Sequence, residues 1–164
     1  MQNFWRVEKI LSLKQAAQLA AELKAQGKNL VTVNGSFDVL HGGHIRLLEE
    51  AKQQGDILIV GLNSDATIRQ GKGDKFPVLS EDQRAAVLAA LICVDYVIPI
   101  DGVYNTTHDI LLEMVKPAVH ASSGERGPLE SWEEYPMMKK YGITGYVVTH
   151  TTGISDEEIT SHLS

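Results

Sequence analysis

The chain has 164 residues, a net charge of −6, 43% hydrophobic and 22% charged residues. That length fits a single domain with a real core, and the acidic balance argues against a general nucleic-acid binder, which presents a basic face. No apolar run approaches the ~20 residues of a membrane span and Met1-Gln2-Asn3 does not open a secretory leader, so a cytoplasmic protein with neither nucleic acid nor membrane as partner is expected.

Residues 1–12 read as a lead-in whose Phe4, Trp5 and Val7 cover an edge or a partner. Ser12 caps a helix expected from Leu13 to Gln26, with Ala16, Leu19, Ala20 and Leu23 on one face and Gly27 just past its end. The first strand is Leu30–Asn34. After a glycine-bearing turn, a helix from about Gly43 to Gln53 puts Leu47, Leu48 and Ala51 on one side and Arg46, Glu49 and Glu50 on the other. The second strand, Asp56–Leu62, is almost unbroken in its apolar character, as suits a parallel strand covered on both faces. Asn63-Ser64-Asp65 follows, then a loop from Gln70 to Pro77 that carries Gly71, Lys72, Gly73 and Lys75.

Ser80-Glu81-Asp82-Gln83 reads as a capping box opening a helix to about Ile92. Cys93, the only cysteine, sits in an apolar run as a small buried hydrophobe. Strand three is Tyr96–Ile100. A helix over Thr107–Lys116 is stopped by Pro117, Ala118–Ala121 is a short strand, and a polar loop runs from Ser122 to Pro128. Leu129–Tyr141 is expected to be mostly helix, bent at Pro136, and Gly145–Thr149 is the last strand. Ser155 to Glu158 forms another capping box and opens a C-terminal helix. Five strands alternating with helices define an α/β fold with a doubly wound parallel sheet. Ligands of such sheets bind beyond the carboxyl ends of the strands, where Gly35–His44, Asn63–Asp65, Ser122–Arg126 and Thr149–Ser155 should meet.

The stretch from Val31 to Lys52 organises the rest. A β-branched run ends in Asn34-Gly35-Ser36-Phe37-Asp38, and His41-Gly42-Gly43-His44 opens a helix. Glycines let the backbone approach an oxyanion, and the first N–H groups of a helix point at it. Two histidines three residues apart at that terminus can face one point, which reads as a nucleotide-phosphate site. A metal pair completed by Asp38, or two histidines that only cap the helix, are the competing readings. Lys72, between glycines, is placed to close over bound phosphates, although a loop lysine can equally be solvated surface. Arg84 lies in the first turn of its helix, where a positive charge opposes the helix dipole. It either reaches for an anion or pairs with a neighbour such as Glu81.

The block Asn34 to His44 resembles the HxGH signature of the cytidylyltransferase-like nucleotidylyltransferases. Gly61-Leu62-Asn63-Ser64-Asp65, then Lys72 to Val78, then Gln83-Arg84 are similar to the heptose-1-phosphate adenylyltransferases of lipopolysaccharide core synthesis. Gly153-Ile154-Ser155 resembles the ending of the glycerol-3-phosphate cytidylyltransferases. The resemblance covers residues 10–105 well and the remainder patchily. It implies a Rossmann-like fold over residues 1–164 as one domain, with 1–28 its lead-in and first helix.

The resemblance also implies transfer of a nucleoside monophosphate from an NTP to a sugar phosphate, heptose 1-phosphate by preference, with release of pyrophosphate. A cytidylyltransferase for glycerol phosphate or another small phosphorylated alcohol, and a nucleotide-binding module without turnover, are the alternatives. His41, His44, Lys72 and Arg84 would be catalytic. Asn34, Gly35, Ser36, Phe37, Asp38, Gly43, Asn63, Asp65, Ser122, Gly153 and Ser155 would bind the nucleotide. Mg2+ would accompany the NTP, and the protein would be a homodimer. Two segments depart from the family: Asp156-Glu157 stands in place of a threonine pair, and Ala121-Ser122-Ser123-Gly124 in place of a Gly-Asp motif.

Overall fold

A computed structural model describes residues 5–148 and residue 161. The expected C-terminal helix, the Thr149–Ser155 segment with Gly153 and Ser155, Asp156-Glu157, and the side chains of Phe4 and Trp5 lie outside the described residues.

Five parallel strands form one sheet: β1 (Leu30–Gly35), β2 (Ile57–Asn63), β3 (Tyr96–Ile100), β4 (Val119–Ser123) and β5 (Thr144–Val148), in the order β3-β2-β1-β4-β5. Register is set by Leu30 beside Ile57, Thr32 beside His120 and Ile59 beside Tyr96. The chain walks from β1 to β3 in one direction and returns to β4 on the other side of β1. The order therefore reverses between β1 and β4, the place where doubly wound sheets open a ligand crevice.

Alternation along the strands supplies two cores. Val31, Val33, Leu58, Val60 and Val97 pack on α2 (Gly42–Lys52) and α4 (Glu81–Ala90) through Leu47, Leu48, Ala85 and Leu88. Leu30, Ile59, Ile98 and Ile100 pack on α1 (Leu13–Ala25) and α5 (Thr107–Val115) through Ala16, Ala20, Leu111 and Val115. A smaller cluster of Leu112, Trp132, Met138 and Ile143 supports the β5 side. The doubly wound α/β sheet expected from the sequence is the observed fold.

Local chemistry explains most of the boundaries. Ser12 and Gln15 form a reciprocal capping box on α1. Lys116 takes a left-handed conformation at the end of α5, immediately before Pro117. The lead-in covers a sheet edge: Leu11 N donates to Val97 O at 2.9 Å, and Lys9 Nζ donates to Leu91 O and Val94 O. Cys93 is half-buried beside the first core, and burial pushes its thiol up.

Four expectations need correction. A short helix, α3 (Asp65–Lys72), occupies the start of the expected loop, so Lys72 ends a helix and Gly73, at φ 89°, follows it. Ser80 precedes α4 but makes no side-chain cap. Leu129–Tyr141 is not one bent helix: a 3-10 turn over Leu129–Ser131 precedes α6 (Tyr135–Tyr141). Pro136 lies in the first turn of α6, where its missing N–H costs nothing. The fourth strand runs on to Ser123, and a 3-10 turn over Gly124–Arg126 follows.

Candidate active site

A cleft of about 350 Å3 opens at the carboxyl ends of the strands. The turn after β1 forms its floor. There Phe37 adopts φ 46°, a left-handed conformation that a bulky residue keeps only under constraint. Gly35 makes room for it, since a Cβ at that position would meet the Phe37 ring at 3.0 Å. The ring in turn packs 5.3 Å from the His44 ring.

His41 is the N-cap of α2. Gly43 N donates to its Nδ1 at 3.1 Å, and His41 N donates to His44 Nδ1 at 3.4 Å. Each bond occupies Nδ1, so a neutral ring carries its proton on Nε2 and is a donor there. The two rings stack with centroids 3.9 Å apart. Burial, the nearby His41 and the Lys72 charge lower the His44 pKa to about 4. His44 is therefore neutral at pH 7, an N–H donor that brings no charge of its own.

His41, His44, Gly43, Lys72, Asn34, Gly35, Ser36, Phe37, Asn63 and Ser122 all line this cleft. At its back, Asn34 Nδ2 donates to Thr107 Oγ1 at 3.0 Å, and Thr107 Oγ1 donates to Asn63 Oδ1 at 2.7 Å. That leaves Asn34 Oδ1 buried without a partner among the described residues.

Three expected site residues do not line the cleft. Arg84 is 1% exposed and turned into the protein. It donates to Ser36 O at 2.7 Å, Asn63 O at 2.9 Å, Leu79 O at 3.0 Å and Asp65 Oδ1 at 2.7 Å. It ties the ends of β1 and β2 to α3 and α4 rather than reaching for a phosphate, and Asp65, rather than Glu81, is its ion-pair partner. Asp38 is buried and accepts from Val78 N at 2.8 Å and Leu79 N at 2.9 Å. With both carboxylate oxygens engaged by these amides and outside the cleft lining, it anchors the segment that precedes α4.

The far wall holds Glu125 and Arg126, from the segment expected to reach the ligand crevice, together with Tyr104, Thr107, His108 and Glu133, which sequence reasoning passed over. None belongs to a motif of recognisable spacing. Behind this wall lies Glu134, fully buried, which accepts from Arg126 Nη2 at 2.8 Å and also from Arg126 Nη1. Burial alone would raise the Glu134 carboxyl, but hydrogen bonds from His120 and Arg126 outweigh it and hold the group well below the usual carboxylate range.

A strand, a glycine-bearing turn and a helix N-terminus that brings paired imidazoles to a switch-point cleft are parts from which doubly wound folds build anion sites. The cytidylyltransferase-like family model matches residues 32–159. The chain belongs to that family of nucleotidylyltransferases. It is 42% identical over 151 residues to "Bifunctional protein HldE" of Geobacter metallireducens and 38% identical over 151 residues to the Pelobacter propionicus protein of the same name. Each match covers 92% of this chain and 30% of the relative, so the chain spans less than a third of those relatives' length. The solved lipopolysaccharide core biosynthesis protein from Thermoplasma volcanium is 32% identical, with a TM-score of 0.62 over 76% of this chain and 98% of that one. Pantoate-beta-alanine ligase from Francisella tularensis shares the fold alone, at 16% identity and a TM-score of 0.69 over 88% of this chain and 67% of that one.

Proposed function

We propose that the chain transfers an adenylyl group from ATP to a sugar phosphate, heptose 1-phosphate first among acceptors, and releases pyrophosphate. The observation that carries this reading is the stacked His41–His44 pair at the start of α2, in the switch-point cleft. The relatives named HldE and the lipopolysaccharide core biosynthesis protein support the choice of acceptor.

The acceptor phosphate attacks the α-phosphorus, and pyrophosphate leaves from the opposite side. The protein supplies position and charge stabilisation rather than a covalent intermediate. The α2 N-terminus and the Nε2–H groups of His41 and His44 donate to phosphoryl oxygens, and Lys72 adds positive charge as pyrophosphate departs. Gly35, Ser36 and Phe37 bring backbone to the nucleotide. Arg84, Asp65 and Asp38 act one layer out, by fixing the turn that carries the histidines.

Mg2+ would arrive with the triphosphate. In this reading the ion is held largely by phosphate oxygens and water. Within the proposal the protein is a cytoplasmic homodimer; among the described residues no helix is long and apolar enough to cross a membrane.

The test is pyrophosphate release with each of the four NTPs against a panel of phosphorylated acceptors. ATP-dependent release with heptose 1-phosphate is the expected result. CTP dependence with glycerol 3-phosphate, or silence throughout the panel, would overturn it.

A further inference from the structure

Arg126 is held as a fixed plate on the cleft wall. Its two terminal nitrogens meet the buried Glu134 carboxylate, Nη1 lies 3.5 Å from Ser122 Oγ, and the guanidinium covers the Trp132 ring at 5.3 Å. Glu134 stands on a pedestal: His120 Nε2 lies 3.4 Å from it, and His120 Nδ1 shares a 2.8 Å hydrogen bond with Thr32 Oγ1 of β1. The Nε–H and the second Nη2–H of Arg126 keep no partner among the described residues.

Charge decides what this plate meets. Glu134 cancels the arginine, and Glu125 and Glu133 line the same wall. The wall is therefore net acidic, whereas the opposite flank carries Lys72 beside the histidines. A phosphate dianion is drawn to the lysine flank and repelled from the glutamate flank. A sugar ring needs what the glutamate flank offers: carboxylates that accept from hydroxyls, next to a guanidinium and Ser122 and Ser123 hydroxyls that donate to them.

We propose that Arg126 binds the vicinal hydroxyls of a sugar ring, and that Glu134 is the positioning residue that aims it. This deepens the adenylyltransferase reading and rests on it for the identity of the sugar, which is either the ribose of the NTP or the ring of the acceptor. The test uses binding alone, so failed turnover would count against that reading and leave this one standing.

Calorimetric affinities are measured for two pairs: ATP against 2′,3′-dideoxy-ATP, and, on protein saturated with the β,γ-imido analogue of ATP, glucose 1-phosphate against ethyl phosphate. Wild type should prefer the hydroxyl-bearing member of at least one pair by about fivefold, the scale of one or two hydrogen bonds. Arg126→Lys and Glu134→Gln should each reduce that preference to under about twofold without weakening the hydroxyl-free member. Collapse in the nucleotide pair assigns the plate to the ribose, and collapse in the acceptor pair assigns it to the acceptor sugar. The proposal is overturned if wild type shows no preference in either pair, or if the preference survives both variants. It is overturned too if the variants weaken all four ligands alike, as a purely structural or phosphate-binding role requires.

Discussion

Arg84 Nη2 donates to Asp65 Oδ1 at 2.7 Å from a position with no solvent exposure of its side chain. The pair joins the start of α3 to the start of α4, and the remaining Arg84 donors close on Ser36, Asn63 and Leu79 carbonyls. Removing the guanidinium leaves those three carbonyls without their donor, at a cost of about 2–4 kcal/mol in total, while Asp65, 28% exposed, can turn to water. Arg84→Ala should lower the unfolding free energy by about that much in a urea titration. A variant as stable as wild type that loses only phosphate affinity would return Arg84 to direct binding.

Asp38 accepts from two consecutive backbone amides, Val78 and Leu79. Hydrogen bonds to a charged acceptor contribute about 1.5–3 kcal/mol each, with part recovered from water. Asp38→Ala should destabilise the protein by about 2–3 kcal/mol and open the 73–79 segment to protease before global unfolding. Cleavage kinetics that match wild type would remove the anchoring role.

Both of these residues read as ligand-binding residues in the sequence, Asp38 because it adjoins the phosphate motif and Arg84 because its charge opposes the dipole of its own helix. Their partners lie 19 and 40 positions away, beyond the reach of local spacing. The strand–turn–helix unit around His41 and His44 was legible because its signals are local: a β-branched run, glycines and amphipathic spacing. β3 was legible at both ends because it is short and apolar and is bounded by Asp95 and Asp101. α3 was hidden because its last turn carries Gly71, which normally argues for a loop. In the fold, Gly71 leaves the space that the Tyr104 ring occupies. Arg126 and Glu134 could not be read as a pair at all, because only the return of the chain from β4 into α6 brings them together.

Gly61 sits in mid-β2, where a Cβ would approach Asn34 Oδ1 at 2.5 Å and Leu111 Cδ2 at 2.8 Å. The packed core and the polar group at the back of the cleft both resist that atom. Gly61→Ala should destabilise by about 1–3 kcal/mol, measured by urea unfolding. An unchanged or stabilised variant would show that this layer yields more than the close packing implies.

His44 in the unfolded chain takes up its proton near 6.5, but in the fold only at about 4. Between these values the unfolded chain binds the extra proton, so the His44 contribution to stability is complete above pH 6.5 and is lost as pH falls toward 4. Nitrogen-15 spectra of the His44 ring should show a neutral Nε2–H tautomer at pH 7, with titration at about 4. Titration at 6.5 would contradict the burial of the His44 ring beside His41 and Lys72.

The proposed transfer depends on His41 and His44 as donors to a nucleoside triphosphate. The most direct measurement is ATP-dependent pyrophosphate release by His44→Ala beside wild type, with melting temperature recorded for both. The prediction is a fall in kcat of ~10²–10³, the cost of removing one preorganised oxyanion donor, at a melting temperature that stays within a few degrees of wild type. Turnover within about threefold of wild type would contradict it.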